Sequence, residues 1–288
     1  MIISQNNFLI KEKSFIHVGG EVKEYIECDD LKQAIECLSN KKRFIALGNT
    51  SKILFCFDKC EIVFFRFLKK KIVFNKDDFF VYSGVSLNYL NHVLMERNIT
   101  GFEYLSTIPG LIGGSIVNNA SFLEQGISDL LIEILVWENK KFTIIKREDI
   151  KFSYRESGLI KDNFFIVGAR FKIQHDYRSK INMRYLKALE YRRKKQNISL
   201  HTLGSTFKNI NDIKIGQVLD SLGYRGFHLD KTCRVSQLHA NFIVVDNNAN
   251  YQEVYNLINF LKEVLYNYLK LKIRLEIQVI LEDGRVSD

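Results

Sequence analysis

Proline is almost absent from this chain: Pro109 is the only one in 288 residues, so nearly every turn is built without a ring to preset φ. Cysteine is sparse and poorly spaced for chemistry. The five thiols (Cys28, Cys37, Cys56, Cys60, Cys233) are odd in number. Cys56 and Cys60 have neither the spacing of a redox pair nor a second Cys/His pair to complete a zinc site. They are expected to be reduced and mostly buried, with no metal centre. No apolar run approaches the roughly 20 residues of a membrane span, and the opening MIISQNNFLIKEK lacks the basic-then-apolar order of a signal peptide. The expectation is a soluble, cytoplasmic protein with no membrane partner.

What is present is globular: 46% hydrophobic and 26% charged residues, in a length that suggests about two domains. The net charge of +9 raises the question of nucleic acid. The basic residues are scattered, and the two dense runs, Lys69 to Lys71 and Arg192 to Lys195, are short and carry no interleaved aromatic face. No nucleic-acid partner is expected; anionic small molecules suit the charge equally well.

Along the chain, EYIECDD, LKQAIECLS and RFIALG predict strand, helix and strand, the last running into a Gly48-Asn49-Thr50-Ser51 turn. Such a turn either holds phosphate oxygens or is an ordinary surface turn. CEIVFFRF and FFVYSG predict strands, and Ser86 is placed to cap a helix with Leu87, Leu90, Val93 and Leu94 on one face. LLIEILVWENKKFTIIKRED predicts two strands joined by a Glu-Asn-Lys-Lys turn, and FFIVGARFKIQ another strand. From about residue 180 the texture becomes helical. SKINMRYLKALEYRRKKQN is expected to be a basic amphipathic helix. QVLDSLG and NYQEVYNLINFLKEVLYNYLK are two more, the last with Val254, Leu257, Ile258, Leu261, Leu265 and Tyr268 as its apolar stripe. NFIVVD and IRLEIQVIL predict strands between and after them.

The lone proline lies in TIPGLIGGSIVNNAS. Pro109 fixes φ, and Gly110, Gly113, Gly114 and Ser115 keep side chains away from the backbone. Such a segment either presses N–H groups against a flat or phosphorylated ligand or lets two elements pack closely. FSYRESG places Tyr154 beside Arg155, and LGSTFKN holds Ser205 with Lys208 and Asn209 close behind. RVSQLHANFIVVD sets Ser236, His239 and Asn241 at the mouth of a strand, where His239 is either a structural or a catalytic histidine. No His or Asp adjoins Ser205 to make it a hydrolase nucleophile.

The order of these motifs is more specific than any one of them. IPGxxGG with NNA, YRxS, RxxKQ, GSxFKN, SxxHANFIV and a closing LExxV strand resemble the UDP-N-acetylenolpyruvoylglucosamine reductase (MurB) family, and FIHVGGEVKEYIE at 15–27 fits its opening. The resemblance implies an α+β protein with an FAD-binding region of the vanillyl-alcohol-oxidase (PCMH) type, residues 1–178 in subdomains of roughly 1–67 and 68–178. A C-terminal α/β substrate-binding lobe, residues 179–288, would follow, its last strand free to return to the first subdomain. It implies bound FAD, NADPH as co-substrate, a sugar nucleotide as substrate and, as the favoured state, a monomer. The short interval from Arg155 to Ser205 marks the compact type, without the extra tyrosine-bearing loop.

Residue by residue, the resemblance implies cofactor contacts at Gly48, Asn49, Thr50, Ser51, Pro109, Gly110, Gly113, Gly114, Ser115, Asn119 and Arg192. It implies substrate contacts at Tyr154, Lys195, Asn209 and Asn241, and catalysis by Arg155 and Ser205. Several positions depart from the pattern. Asn49 and Thr50 replace glycines and Lys52 an asparagine in the phosphate loop, and Ser121 stands where glycine is usual. The family's catalytic glutamate aligns with Gln278, with Glu276 two residues earlier on the same strand face as its substitute. A glutamine donates a hydrogen bond but cannot act as an acid. The implied reaction passes hydride to the enolpyruvyl group, with Arg155 countering the enolate charge and Ser205 supplying the proton. A non-catalytic flavin- or sugar-nucleotide-binding homologue, or another flavin oxidoreductase on the same scaffold, is the alternative.

Overall fold

The acidic pair after the second strand and Ser86 both start helices. In the computed structural model, which describes residues 1–123, 125–196 and 201–287, the Asp30 carboxylate accepts the Gln33 N–H at 3.0 Å and caps α1 (Leu31–Ser39). Ser86 Oγ accepts from Tyr89 at 3.2 Å and caps α2 (Leu87–Glu96), which buries Leu87, Leu90 and Leu94 but leaves Val93 only half-buried. The other helices among the described residues are α3 (Ile112–Val117), α4 (Arg178–Lys195), α5 (Ile215–Ser221) and α6 (Tyr251–Leu269). Asn250 opens α6 with a full capping box, exchanging two 3.0 Å hydrogen bonds with Glu253.

Packing divides the chain into two units. The first comprises Met1–Asn6, Glu24–Asn49 and the described residues of Ile62–Glu190; the second comprises Asn7–Lys23, Thr50–Glu61 and the described residues from Tyr191 onward. The division differs from a single boundary at residue 178 because α4, which begins at Arg178, stays with the first unit through Glu190, and two N-terminal stretches pack with the C-terminal residues.

In the first unit, a five-stranded antiparallel sheet has the order 141–146, 131–138, 164–172, 78–82, 72–74. Strands 131–138 and 141–146 are joined at Glu138 and Lys141 by a two-residue turn with Asn139 and Lys140 at φ 52° and 59°, the left-handed pair a tight hairpin favours. Strand Phe164–Lys172 is buried on both faces. Phe165 and Val167 join a core with Ile26, Ala34, Leu38, Phe65 and Trp137, while Phe164, Ile166, Ala169 and Phe171 join one with Phe79, Leu90 and Ile116. The face changes parity after Ile166 because Leu135 and Val136 pair with Gly168 and Ile166, leaving Val167 as the extra residue of a bulge. A second sheet, in the order 2–9, 21–28, 59–67, 44–46, is built on strands whose ends continue past the unit boundary.

The first-unit part of α4 is held by a buried carboxylate. Arg184 bonds Glu103, Thr100 and Asp176 at 2.8–2.9 Å, and Glu103, fully buried, also accepts from Thr100, Gly101 and Gln125. Burial works to raise the Glu103 pKa, but the hydrogen bonds from Thr100, Gln125 and Gly101 outweigh it and hold the group below the usual glutamate value. α4 is less amphipathic in place than in sequence. Only Ile181 and Ala188 are buried, and Met183, Leu186 and Tyr191 are exposed.

The second unit sets the α6 stripe of Val254, Leu257, Ile258, Leu261 and Leu265 against two small sheets; Tyr268, placed in that stripe by periodicity, is 60% exposed in the last turn of the helix. One sheet runs 201–205, 242–245, 233–235, and the other has Gln278–Leu281 between 286–287 and a parallel Ile53–Cys56. The closing strand is shorter than expected. Residues 274–276 pair instead with 206–208, through Lys208 N–H to Arg274 O at 2.9 Å and Glu276 N–H to Thr206 O at 2.8 Å, before the chain switches partner to 52–56. Cys28, Cys60 and Cys233 are buried, Cys37 and Cys56 half-buried, and all are free thiols. No described helix is long and apolar enough to cross a membrane, and no described His/Cys/Asp/Glu group could hold a metal ion.

Candidate active site

The segment from Leu105 to Ser121 supplies the first half of the candidate residues. A 3-10 turn (Leu105–Thr107) leads to an exposed Pro109, and Gly110, Ile112 and Gly113 then tie back to 83–87 by backbone hydrogen bonds of 2.9–3.1 Å. The glycines do two different jobs. A Cβ on Gly110 would come within 2.8 Å of Ser115 Oγ and one on Gly113 within 3.0 Å of Ser83, so both lie in close packing. Gly48 and Gly114 instead face each other. A Cβ on Gly48 would lie 3.3 Å from Gly114 Cα, and among the described residues, local backbone aside, the atoms within 4 Å of either added carbon belong to the other glycine. The pair therefore brings two backbones together beside open space, a setting for a flat or phosphorylated ligand. Asn49 adds a long contact, Nδ2 to the Pro109 carbonyl at 3.5 Å.

Asn119 follows at φ 42°, donating Nδ2 to the Ser153 carbonyl at 2.8 Å. Its Oδ1 is buried and has no hydrogen-bond partner among the described residues, which is costly unless a ligand donor meets it. The open Gly48/Gly114 face and this orphaned oxygen both fit a bound flavin nucleotide.

The same segment carries the turn that displays Arg155. Ser153 and Glu156 exchange backbone hydrogen bonds of 2.9 and 3.2 Å, and Ser157 Oγ donates to the Val117 carbonyl at 2.6 Å. Arg155 itself sits at φ 58°, an uncommon conformation for a long side chain, and its Nη1 donates to Ser121 O and Oγ at 2.8 and 2.6 Å. Its guanidinium lies 5.5 Å from the exposed Tyr154 ring. Three ties (Asn119 to Ser153, Ser157 to Val117, Arg155 to Ser121) thus fasten the Tyr154-Arg155 turn to the end of α3 and the residues after it. Ser121, the hydroxyl where glycine was anticipated, is one of them.

The remaining candidates lie in the second unit. Thr50 adopts φ 54°, a strained region for a β-branched residue. Its buried hydroxyl accepts from Phe15 N–H and donates to Lys13 O, both at 2.9 Å, so the side chain staples the 13–15 segment. Ser51 is half-buried in the following turn.

Ser205 ends strand His201–Ser205 after a bulge. Thr202 pairs with Val244 and Ser205 with Phe242, so Leu203 and Gly204 together oppose Ile243, and Gly204 supplies φ 71° for the extra residue. The residues that follow Ser205 are clamped by Asn241, which is 4% exposed; its Oδ1 accepts from Phe207 N–H and its Nδ2 donates to Phe207 O, each at 2.9 Å. Asn209 accepts from Ile215 N–H at 3.1 Å and so steadies the start of α5. His239 is half-buried and accepts from Asn241 N–H at 3.3 Å; burial first, and the nearby Arg225 and Lys52 charges after it, hold its pKa below the usual imidazole value. That arrangement is a structural, neutral histidine.

Glu276 and Gln278 are both half-buried, and they are held differently. Gln278 donates its N–H to the Lys52 carbonyl at 2.8 Å. Glu276, its side chain 7% exposed, forms an ion pair with Lys52 at 2.8 Å, and Lys52 Nζ also donates to the Ser205 carbonyl at 2.9 Å. Lys52 was not among the anticipated site residues. The signal for it was the coincidence of two departures, a cation at 52 and a lost carboxylate at 278. On α4, burial pulls the Arg192 pKa down to about 10, still a cation at neutral pH, and Lys195 is exposed near the helix end.

A family model described as UDP-N-acetylenolpyruvoylglucosamine reductase, C-terminal domain, matches residues 196–280. Over nearly its whole length the chain is similar to the UDP-N-acetylenolpyruvoylglucosamine reductase of Aquifex aeolicus, with 34% identity over 290 residues covering 96% of this chain and 95% of the relative. The corresponding protein of Fusobacterium nucleatum is 27% identical over 276 residues, 94% of this chain and 97% of the relative. In fold the chain is similar to the crystal structure of UDP-N-acetylenolpyruvylglucosamine reductase from Thermus caldophilus, with a TM-score of 0.84, 22% identity and coverage of 97% and 98%.

Proposed function

The chain belongs to the UDP-N-acetylenolpyruvoylglucosamine reductase family, and from that premise we propose how its own residues divide the work. It is an FAD-dependent, NADPH-consuming oxidoreductase that converts UDP-N-acetylglucosamine enolpyruvate to UDP-N-acetylmuramate for peptidoglycan precursor synthesis. Bound FAD, recharged by NADPH, supplies the hydride that goes to the enolpyruvyl group.

The chain's residues do the rest. Gly48, Asn49, Pro109, Gly110, Gly113, Gly114, Ser115 and Asn119 hold the cofactor, with the open Gly48/Gly114 face and the orphaned Asn119 oxygen as the support for that role. Thr50 and Ser51 shape the phosphate loop, Thr50 by stapling it to 13–15 rather than by touching ligand. Arg192 adds positive charge. Arg155, stabilised by Ser121, counters the negative charge that builds on the substrate carboxylate. Ser205 donates the proton that completes the lactyl ether. Tyr154 and Lys195, both exposed, meet the sugar nucleotide, and Asn209 and Asn241 act mainly by holding the Ser205 turn. Of the two candidates on the closing strand, Gln278 holds the aligned position and Glu276 is the one whose carboxylate is joined to Ser205 through Lys52.

We place the FAD-binding region at 1–178 and the substrate lobe at 179–288, and the enzyme in the cytoplasm, where sugar nucleotides and NADPH are found, as a monomer with no nucleic-acid or membrane partner. The observation that carries the site assignment is the three-point fastening of the Arg155 turn to the Asn119 segment. Anaerobic stopped-flow absorbance tests the whole reading. NADPH should bleach the bound flavin, and the enolpyruvyl substrate should restore its colour; a flavin that stays reduced with substrate, or a protein that binds none, overturns it.

A further inference from the structure

Lys52 is joined to the candidate proton-transfer residues at three points. Its ammonium donates to Ser205 O at 2.9 Å and pairs with Glu276 at 2.8 Å, and its carbonyl takes the Gln278 N–H at 2.8 Å. The neighbouring backbone makes room for it. A Cβ on Gly204, the left-handed residue of the bulge before Ser205, would come within 3.3 Å of Lys52 Nζ, so a larger residue there would crowd the ammonium. Glu276 is fixed in turn by its N–H bond to Thr206 O at 2.8 Å. A salt bridge this enclosed is weak evidence for stability alone, because desolvation offsets much of the attraction. Its placement on the serine's own carbonyl calls for another reason.

Proton transfer by Ser205 supplies one. The Ser205 O–H bond breaks, and the substrate enolate's electron pair forms the new C–H bond. Negative charge remains on the serine oxygen until water returns a proton. A carboxylic acid at position 278 could share that load, but Gln278 cannot give up a proton. A fixed ammonium at the same residue offsets the charge without itself being deprotonated.

Resting on the reductase reading above, we infer that Lys52 is a positioning residue for Ser205: held by Glu276, its ammonium sets the end of the 201–205 strand and stabilises the oxyanion left when Ser205 gives up its proton, making up for the carboxyl group missing at 278. Glu276 then serves as the counter-charge that holds Lys52 and not as the acid.

The test follows the two half-reactions of Lys52→Met, Lys52→Arg and Glu276→Gln by anaerobic stopped flow in H2O and D2O. Lys52→Met should leave flavin reduction by NADPH near the parent rate. It should slow reoxidation by the enolpyruvyl substrate about 10²-fold, with an enlarged solvent isotope effect and little change in substrate Kd. Lys52→Arg should recover most of that loss, since charge is what matters, and Glu276→Gln should slow the same step less than Lys52→Met. If Lys52→Met does not fold, the Lys52→Arg and Glu276→Gln rates and isotope effects decide. Parent-like reoxidation in Lys52→Met, or a loss confined to melting temperature, overturns the inference. So does a slowed step in Glu276→Gln that exceeds that of Lys52→Met, which would make Glu276 the acid. A parent protein whose flavin the substrate never reoxidises overturns the reductase reading instead.

Discussion

Asn241→Ala separates two roles that its position in HANFIV allows, holding the turn after Ser205 or touching the sugar nucleotide. Asn241 is 4% exposed and spends both side-chain polar atoms on Phe207, itself 1% exposed, through hydrogen bonds of 2.9 Å. Alanine leaves one buried backbone donor and one buried acceptor without those partners, while the Asn241 carbonyl keeps its 2.7 Å bond from Thr206 N–H. At about 1–3 kcal/mol for each stranded group, the loss is about 2–6 kcal/mol. Water admitted by the shortened side chain favours the lower half, about 2–4 kcal/mol. At about 2–4 °C per kcal/mol for a large domain, that lowers the melting temperature by roughly 4–16 °C in a calorimetric scan. Asn241→Asp is the control. It keeps the acceptor for Phe207 N–H but sets a carboxylate oxygen against Phe207 O, so it should destabilise at least as much. The turn after Ser205 then loosens, and kcat should fall in both variants more than KM rises. An unchanged melting temperature combined with a tenfold rise in KM would refute the reasoning and make Asn241 a direct substrate contact.

Pro109→Ala removes no buried contact, so the flavin-free protein should melt within a few degrees of the parent while flavin release, followed by fluorescence, becomes several-fold easier; the opposite ranking makes the segment mere architecture. Thr50→Val keeps the strained φ of 54° but loses both hydroxyl bonds, at a cost of about 1–3 kcal/mol, whereas Thr50→Gly loses the same bonds and relieves the strain. Urea titration should therefore rank Gly above Val in stability, and the reverse order would remove strain from the account. The His239 imidazole has a folded pKa below its ordinary 6.5, so the unfolded chain takes up its proton first as pH falls. Its stabilising effect is full above pH 6.5 and is lost as pH drops through the folded value, and His239→Gln should flatten that part of a urea-stability profile, while an unaltered slope would clear His239 of the role.

Local structure was legible wherever short-range chemistry sets it. Asp30 and Ser86 cap the helices they precede, the Glu-Asn-Lys-Lys turn closes a hairpin, and the α6 stripe packs as its spacing requires. Errors came where tertiary contacts overrule periodicity. Tyr268 belongs to the α6 stripe by its spacing, yet in the last turn it is Leu269 that packs against the core. IRLEIQVIL has the composition of one strand, but its first half pairs with 206–208 and its second with 53–56, and composition does not encode a change of partner. The glycines of the Pro109 segment could not be sorted from sequence into those that pack and those that face open space, since a missing side chain looks the same in either use. Their surroundings separate them.

The order of the motifs was enough to determine the family, the reaction and the candidate site residues, because residue types that must meet ligand recur in a fixed succession even when individual letters drift. Gln278 and Lys52 were legible only as two unrelated departures from that pattern. The tertiary structure decided that they are connected, since a lysine reaches the Ser205 carbonyl and Glu276 only when residues 52, 205 and 276 are brought together across more than two hundred positions of chain. Spacing along a sequence carries no information about such a contact. It arises from strand pairing, and strand pairing is settled by the core.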